Sequence, residues 1–162
     1  MPNHTHDQWK SKANALSFRN QAFINGKFVD AASGKTFKSI NPATDTILTE
    51  VAECDLEDVN RAVASARKVF EAGSWSRAAP AHRKAVLLKL AELIRENLEE
   101  MALLDSLDMG KLVTDAVTID APGSAHFFQW YAETIDKVYD EVAPTGPGEL
   151  AFIRKVPLGV IG

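Results

Sequence analysis

Residues 80–111 constrain the fold most, because apolar residues recur there at spacings of three and four. This spacing aligns them along one face of an α-helix with 3.6 residues per turn. Pro80 is tolerated in a first helical turn, and Gly110 can adopt the left-handed backbone that ends many helices. We predict one long amphipathic helix over residues 80–111. Its apolar face comprises Val86, Leu87, Leu90, Leu93, Ile94, Leu98, Met101 and Leu104.

Composition excludes several classes of protein. The chain has 162 residues and a formal net charge of -4, whereas nucleic acid and anionic membranes attract clustered Lys and Arg. We therefore expect neither as a partner. A single cysteine, Cys54, permits no disulfide within the chain, which is typical of a reducing compartment. With no secretory signal and no apolar run long enough for a bilayer, the sequence predicts a cytoplasmic protein.

The first half of the chain contains turn signals between short apolar runs. Residues 1–21 are mostly polar, and we expect a loosely held N-terminal arm there. Asn25-Gly26 between apolar pairs is the strongest short hairpin signal, and further turn residues follow at 33–35 and 41–45. We predict a small antiparallel β meander over residues 22–52.

Two further helices are predicted on either side of the long one. Asp55 and Asp58 have the spacing of a capping box, and Gly73 ends the helix that they begin. A third helix follows Lys111, with a kink or restart at Pro122. The stripe predicted to be buried in the first of these helices comprises Val59, Ala62, Val63, Ala66, Val69 and Phe70.

The end of the chain changes character. A turn rich in Pro and Gly at 144–148 precedes a strand predicted over 150–156, and residues 158–162 are apolar and predict the start of another strand. Such a strand would expose apolar side chains and unpaired backbone groups. We therefore expect the sequence to be cut off at the first strand of a second, buried sheet. The class is α/β.

Two glycine-containing segments are similar to parts of nucleotide-binding loops. Gly34-Lys35-Thr36 lacks the earlier glycine of a phosphate-binding loop, because Val29 occupies that position. The Gly146–Gly148 segment lacks the continuation and the helix of a dinucleotide fingerprint. Neither is predicted to bind a nucleotide.

Single reactive residues give equally limited signals. Cys54 precedes a helix, which favours a thiolate, but its neighbours Glu53, Asp55, Glu57 and Asp58 oppose one. We interpret it as structural or incidental. His4 and His6 lack a third metal ligand, and His82 and His126 are interpreted as packed or surface residues.

Three aspartates leave alternatives open. Asp108 lies where the long helix ends, so it is either a cation ligand beside freed carbonyl groups or a residue bonding the local backbone. Asp115 and Asp120 either cap the third helix or form an acidic rim for a cationic ligand.

Seven motifs in order resemble the N-terminal segment of the NAD(P)-dependent aldehyde dehydrogenase superfamily over about residues 22–162. They are F-I-N-G-K-F-V-D, T-F-K-S-I-N-P-A-T, D-V-N-R-A-V-A-S-A-R-K-V-F, G-S-W-S, L-D-M-G-K, W-Y-A-E-T-I-D-K-V-Y and I-R-K-V-P-L-G-V-I-G. Within the superfamily, S-L-D-M-G-K, A-P-G and W-Y-A-E-T-I-D-K-V-Y are most similar to γ-glutamyl-γ-aminobutyraldehyde dehydrogenases of putrescine breakdown. Leu112 departs from the proline that usually follows G-K.

The resemblance implies that this chain is part of a longer oxidoreductase. It implies a Rossmann-like cofactor domain beginning over 22–140, the first part of an oligomerisation tongue over 141–157, and the start of the cofactor-domain sheet over 158–162. The parent would oxidise an aldehyde, such as an aminoaldehyde, with NAD or NADP and form a homo-oligomer. The catalytic cysteine and glutamate would lie outside this chain, which alone would hold no catalytic or cofactor-binding residue.

The resemblance also carries over a few residues. The carbonyl of Ile40 and the carboxylate of Asp108 would hold a monovalent cation. Asp120 and Gly123 would lie at the substrate entrance, with Asp120 near a bound amine. The alternative is a non-catalytic binding or oligomerisation module that pairs through its C-terminal strands.

Overall fold

The N-terminal segment folds onto the rest of the chain. The structure is a computed structural model that describes residues 4–162. Helix α1, His6–Asn14, begins after Thr5, which forms a reciprocal capping box with Gln8. Trp9 on this helix is buried, at 8% exposure. Its cluster contains Ala102, Leu103, Ala116, Val117 and Ala121.

The prediction of a loosely held arm is therefore wrong for residues 6–14. The residues around Trp9 give no sign of partners about a hundred residues later in the sequence. Residues 1–3 of the predicted arm lie outside the described residues.

The strands predicted over residues 22–52 form two antiparallel pairs. Strand β1, Ala22–Ile24, pairs with β2, Lys27–Val29, and β3, Thr36–Asn41, pairs with β4, Thr46–Ala52. Asn25 and Gly26 both have positive φ, at 53° and 75°, which confirms the tight hairpin turn.

These pairs are separate two-stranded sheets and not one continuous meander. Between them, the backbone N–H of Ala32 donates to both carboxylate oxygens of Asp58, at 3.1 Å each. The connection after β2 is thus tied to the following helix, so it does not continue into a third paired strand.

Helix α2 is Leu56–Ala72, and its ends are the predicted ones. Asp55 and Asp58 form the capping box, and Gly73 ends the helix with φ of 75°. Its stripe was predicted to be buried, and that prediction is wrong: Val59 is 52% exposed and Val63 46%. The periodicity identified the apolar face correctly, but no other described element covers it.

The single helix predicted over 80–111 is two helices, α3, Pro80–Glu96, and α4, Leu98–Met109. Asn97 separates them with φ of -110° and ψ of 23°, and its side chain Nδ2 donates to the carbonyl of Leu93 at 2.8 Å. The Leu93 carbonyl also accepts from the backbone N–H of Asn97, at 3.1 Å, so the side chain and the backbone of Asn97 share one acceptor. Gly110 ends α4 in the left-handed region, as predicted.

The third predicted helix contains three successive parts. Helix α5, Val113–Asp115, continues into a π-helical turn, Ala116–Asp120, and then into α6, Ala121–Thr134. Pro122 lies in the first turn of α6, and Asp120 and Ala121 before it both have right-handed helical backbone angles. The helix therefore does not restart at Pro122, and the alternative of a kink stays a prediction. We call Ala116–Asp120 the π turn.

Helices α3 and α6 pack against each other. Their most buried residues are small: Ala91, Ala125 and Ala132 are each 0% exposed. Small side chains allow the two backbones to approach closely. By contrast, Phe127 and Tyr131 on α6 are 65% and 59% exposed, so a large part of the aromatic face remains uncovered.

The C-terminal region is a short hairpin followed by irregular chain. Strand β5, Glu141–Ala143, pairs with β6, Ala151–Ile153, so the strand predicted over 150–156 is shorter than expected. Residues 158–162 form no strand, because no neighbouring strand in the described chain pairs with them. None of the described helices is both long and apolar enough to cross a bilayer.

Candidate functional site

Asp108 lies at the end of α4 and faces strand β3. Its Oδ1 accepts a hydrogen bond from the hydroxyl of Ser39 at 2.7 Å. A Cβ placed on the nearby Gly110 would lie 2.7 Å from Cγ of Pro42, so the turn after α4 rests closely on the β3–β4 turn. The structure therefore brings Asp108 close to the strand that contains Ile40. The bond to Ser39 is neither of the two roles that the sequence left open for Asp108.

An open groove of ≈ 540 Å³ runs beside this contact. Its lining includes the carboxylates of Glu100, Asp105 and Asp108 together with Arg19 and Ser39. Within residues 4–162, no three His, Cys, Asp or Glu residues are grouped so that they could hold a metal ion. A cation bound by Asp108 and the carbonyl of Ile40 stays a prediction.

Asp120 ends the π turn and is paired with Lys111. The Nζ of Lys111 contacts Oδ2 of Asp120, and the two side chains are 33% and 35% exposed. The Asp120 carboxylate raises the pKa of the Lys111 ammonium above its usual value, while burial opposes the rise. The charges of Asp120, Asp105 and Asp115 add to it. The Lys111 ammonium is thus paired with the Asp120 carboxylate.

The interpretation of Asp115 and Asp120 as caps of the third helix is wrong. Neither Asp115, which precedes the π turn, nor Asp120, which precedes α6, forms a side-chain capping hydrogen bond. Asp120 and Gly123 are three residues apart at the start of α6, a spacing that places them on one face of a helix. An added Cβ on Gly123 would meet nothing within 4 Å. Their role at a substrate entrance stays a prediction.

Two further candidates from the sequence are Cys54 and the turn that contains Gly146 and Gly148. Cys54 is exposed and lies between acidic residues. The turn containing Gly146 and Gly148 joins the antiparallel strands β5 and β6, and Glu149 N donates to Gly146 O at 3.2 Å. Since no helix begins there, this turn lacks the N–H donors with which a Rossmann loop binds a dinucleotide. The turn does not fit NAD.

A contact that sequence reasoning missed attaches α1 to α4. Glu99 accepts from Nε2 of His4 at 3.0 Å and pairs with Nζ of Lys12 at 2.8 Å. Lys12 first, and then His4, lower the pKa of the Glu99 carboxyl below its usual value. The ring of His4 also lies edge-on to Trp9, with centroids 4.7 Å apart. His4 is thus engaged in a helix contact, and His6 approaches Asp7 instead.

Comparison with known proteins identifies the family. The model of the aldehyde dehydrogenase family matches residues 28–162. The chain belongs to the aldehyde dehydrogenase family. It is 47% identical over 156 residues to an aminoacetaldehyde dehydrogenase of Pseudomonas aeruginosa, covering 96% of this chain and 32% of that protein.

Solved structures of aldehyde dehydrogenases share its fold. An indole-3-acetaldehyde dehydrogenase of P. syringae in complex with NAD+ and IAA aligns with a TM-score of 0.94 and 45% identity. This alignment covers 97% of our chain and 32% of that one. A γ-glutamyl-γ-aminobutyraldehyde dehydrogenase of Burkholderia cenocepacia aligns with a TM-score of 0.85 and 47% identity, over 86% and 28% of the two chains.

These alignments confirm the predicted fold class and show which part of the fold this chain comprises. The chain spans about a third of the length of the relatives that it matches and corresponds to their N-terminal part. The described α/β architecture is therefore the N-terminal part of the aldehyde dehydrogenase fold.

Proposed function

We propose that this chain is the N-terminal part of an NAD(P)-dependent aldehyde dehydrogenase that oxidises an aminoaldehyde to a carboxylic acid. The observation that carries the proposal is the 47% identity to an aminoacetaldehyde dehydrogenase over 96% of the chain. The partly exposed carboxylate of Asp120 supports a substrate with an amino group. Identity alone does not select the substrate, since a relative named for indole-3-acetaldehyde is 45% identical.

In this proposal, the described residues serve substrate entry and not the chemical step. Asp120 binds the substrate ammonium, and Gly123 leaves space beside it. Asp108 and the carbonyl of Ile40 hold a monovalent cation at the junction of α4 and β3, which the contact between Asp108 and Ser39 supports. The nicotinamide cofactor accepts a hydride when bound, and the residues that bind it belong to other parts of the enzyme.

The catalytic cysteine and glutamate are likewise supplied from outside this chain. Residues 22–140 contribute to the cofactor-binding domain, 141–157 to an oligomerisation tongue and 158–162 to the cofactor-domain sheet. The 162-residue chain alone is then not catalytically competent. The coverage of about a third of the relatives supports this division.

Nicotinamide reduction, followed by absorbance, tests the proposal. The product of the whole reading frame that encodes this chain is compared with the 162-residue chain, using aminoacetaldehyde and propanal as substrates. We expect NAD(P) reduction by the whole product and none by the chain. Cys54→Ser in the whole product should retain activity. Reduction by the chain alone, or loss of activity in Cys54→Ser, would contradict our assignment of the nucleophile.

A second function, pairing of subunits, is favoured by the β5–β6 hairpin. Val142, Phe152 and Ile153 on this hairpin are 63%, 62% and 52% exposed. Exposed apolar side chains on short, uncovered strands favour pairing with another chain. We expect Phe152→Glu to lower the molar mass of the assembly that the chain forms, as measured by light scattering. An unchanged mass would argue against pairing through this hairpin.

A further inference from the structure

The carboxylate to which we assign the substrate ammonium already has an ammonium beside it. Lys111 Nζ contacts Asp120 Oδ2, and about a third of each side chain is exposed. A pair at the surface can exchange partners with a solute, because surface ion pairs are worth only about 0–1 kcal/mol. Any outside ammonium that binds Asp120 must therefore compete with Lys111.

The backbone of Lys111 is held in place while its side chain reaches the π turn. Gly110 has φ of 71°, which turns the chain at the end of α4, and Ser106 Oγ donates to the carbonyl of Lys111 at 2.6 Å. The anchored backbone keeps Nζ near Asp120 without immobilising the flexible four-carbon stem.

Oδ2 of Asp120 is buried, and Lys111 Nζ is its ion-pair partner. An outside ammonium can therefore reach this oxygen only after the Lys111 side chain has moved away. Occupation of Oδ2 by Lys111 and by a solute ammonium are mutually exclusive.

We infer that Lys111 is a specificity-determining residue, an internal competitor whose ammonium occupies Asp120 and lowers the selectivity of the enzyme for cationic over neutral aldehydes. This inference rests on the proposed function. Lys111 Nζ is the positive charge in contact with Asp120. Removing that charge leaves the Asp120 carboxylate without this cation, which favours a cationic substrate and does nothing for a neutral one.

Binding of an ammonium to the chain tests the competition directly. Propylammonium chloride is titrated into the 162-residue chain while the Asp120 carboxylate carbon is followed by NMR. Lys111→Met keeps the side-chain length and removes the charge, and Lys111→Arg keeps the charge. We expect Lys111→Met to bind propylammonium about three- to fivefold more tightly than the native chain or Lys111→Arg. Equal affinities, or no binding at Asp120 in any of the three, overturn the inference.

Kinetics of the whole reading-frame product extend the test to catalysis. Aminoacetaldehyde and propanal have the same number of heavy atoms and differ in charge at pH 7. We expect Lys111→Met to raise the ratio of their kcat/KM values about three- to fivefold. In an Asp120→Asn background the same substitution should leave the ratio unchanged.

The possible failures are distinguishable. If the product oxidises propanal and Lys111→Met leaves the ratio of kcat/KM values at the native level, the inference is wrong and the proposed function stands. If Lys111→Met raises the ratio equally in the Asp120→Asn background, the competition is not at Asp120, and the inference is again wrong. If the product oxidises neither aldehyde, the proposed function is wrong, and the ammonium titration alone decides the inference.

Discussion

At the scale of single residues, Asp58 has the most buried charged side chain among residues 4–162. Its side chain is 1% exposed and accepts hydrogen bonds from the backbone N–H groups of Ala32 and Asp55 and from Arg61. One carboxylate thus joins the connection after β2 to the first turn of α2.

We predict that Asp58→Ala destabilises the chain by about 3 kcal/mol, because buried donors lose their acceptor. Urea unfolding followed by circular dichroism measures the change. Glu57→Ala is the matched control, since Glu57 is exposed in the same turn and should cost less than about 0.5 kcal/mol. Similar losses in both variants would show that Asp58 acts only through its position near the helix N-terminus.

Two glycines should respond oppositely to alanine. Gly110→Ala meets both a positive φ of 71° and a contact of 2.7 Å with Pro42, so it should cost at least about 1 kcal/mol. Gly123→Ala lies in a helix with open space around Cβ and should be neutral or stabilise by up to about 1 kcal/mol. Thermal unfolding of both variants distinguishes them, and a stabilised Gly110→Ala would contradict the close approach of α4 to the β3–β4 turn.

At the scale of elements, the attachment of α1 should depend on pH. Lys12 and His4 lower the pKa of Glu99, so the folded chain binds a proton there less readily than the unfolded chain. The stability from this contact is present above the ordinary pKa of 4.5 and is lost as pH falls through the lower, folded value.

We predict that the native chain has a larger free energy of unfolding than Glu99→Gln at pH 6. The difference between the two should shrink toward zero near pH 3. Urea unfolding at intervals between these values measures it. Glu100→Gln, an exposed neighbour, controls for general charge effects. A difference that stays constant with pH would mean that the Glu99 carboxylate contributes no charge-dependent stability.

Comparing the elements shows which sequence signals are sufficient to predict local structure. Asn25-Gly26 predicted its turn because two adjacent residues determine it. Asn97 interrupts a helix that periodicity treated as continuous, since apolar spacing does not register a side chain that bonds the preceding turn. The docking of α1 was missed for another reason: α1 and α4 are brought together only by folding, and nothing near Trp9 in the sequence indicates this contact.

The candidate site was predictable only in part for the same reason. The sequence singled out Asp108 and Asp120 by their places at helix boundaries. It did not predict that Ser39 donates to Asp108 or that Lys111 contacts Asp120, because each partner's position depends on how two elements pack.

At the scale of the whole molecule, many large apolar side chains remain exposed. On α2, Val59 and Val63 are 52% and 46% exposed, whereas Ile94 in the helix pair α3 and α6 is 6% exposed. Monomeric soluble proteins rarely leave an extensive apolar face uncovered. This distribution is consistent with a chain that spans about a third of its relatives' length.

We predict that replacing Val59 and Val63 together by serine costs less than about 1 kcal/mol in the 162-residue chain, because both are already half in water. Ile94→Ser should cost about 3 kcal/mol. In the whole reading-frame product the valine replacements should become strongly destabilising, as judged by thermal unfolding. If they are equally mild there, the α2 face is not covered by the rest of the enzyme.

The π turn has a consequence for comparing this chain with its relatives. A π turn accommodates one residue more than an α-helical turn in the same stretch. A relative with a regular helix over Ala116–Asp120 would be one residue shorter there, although its flanking helices could superimpose on α5 and α6. Counting positions forward from Lys111 and backward from α6 would then assign the counterpart of Asp120 to two different residues, so that counterpart has to be found by superposition in space.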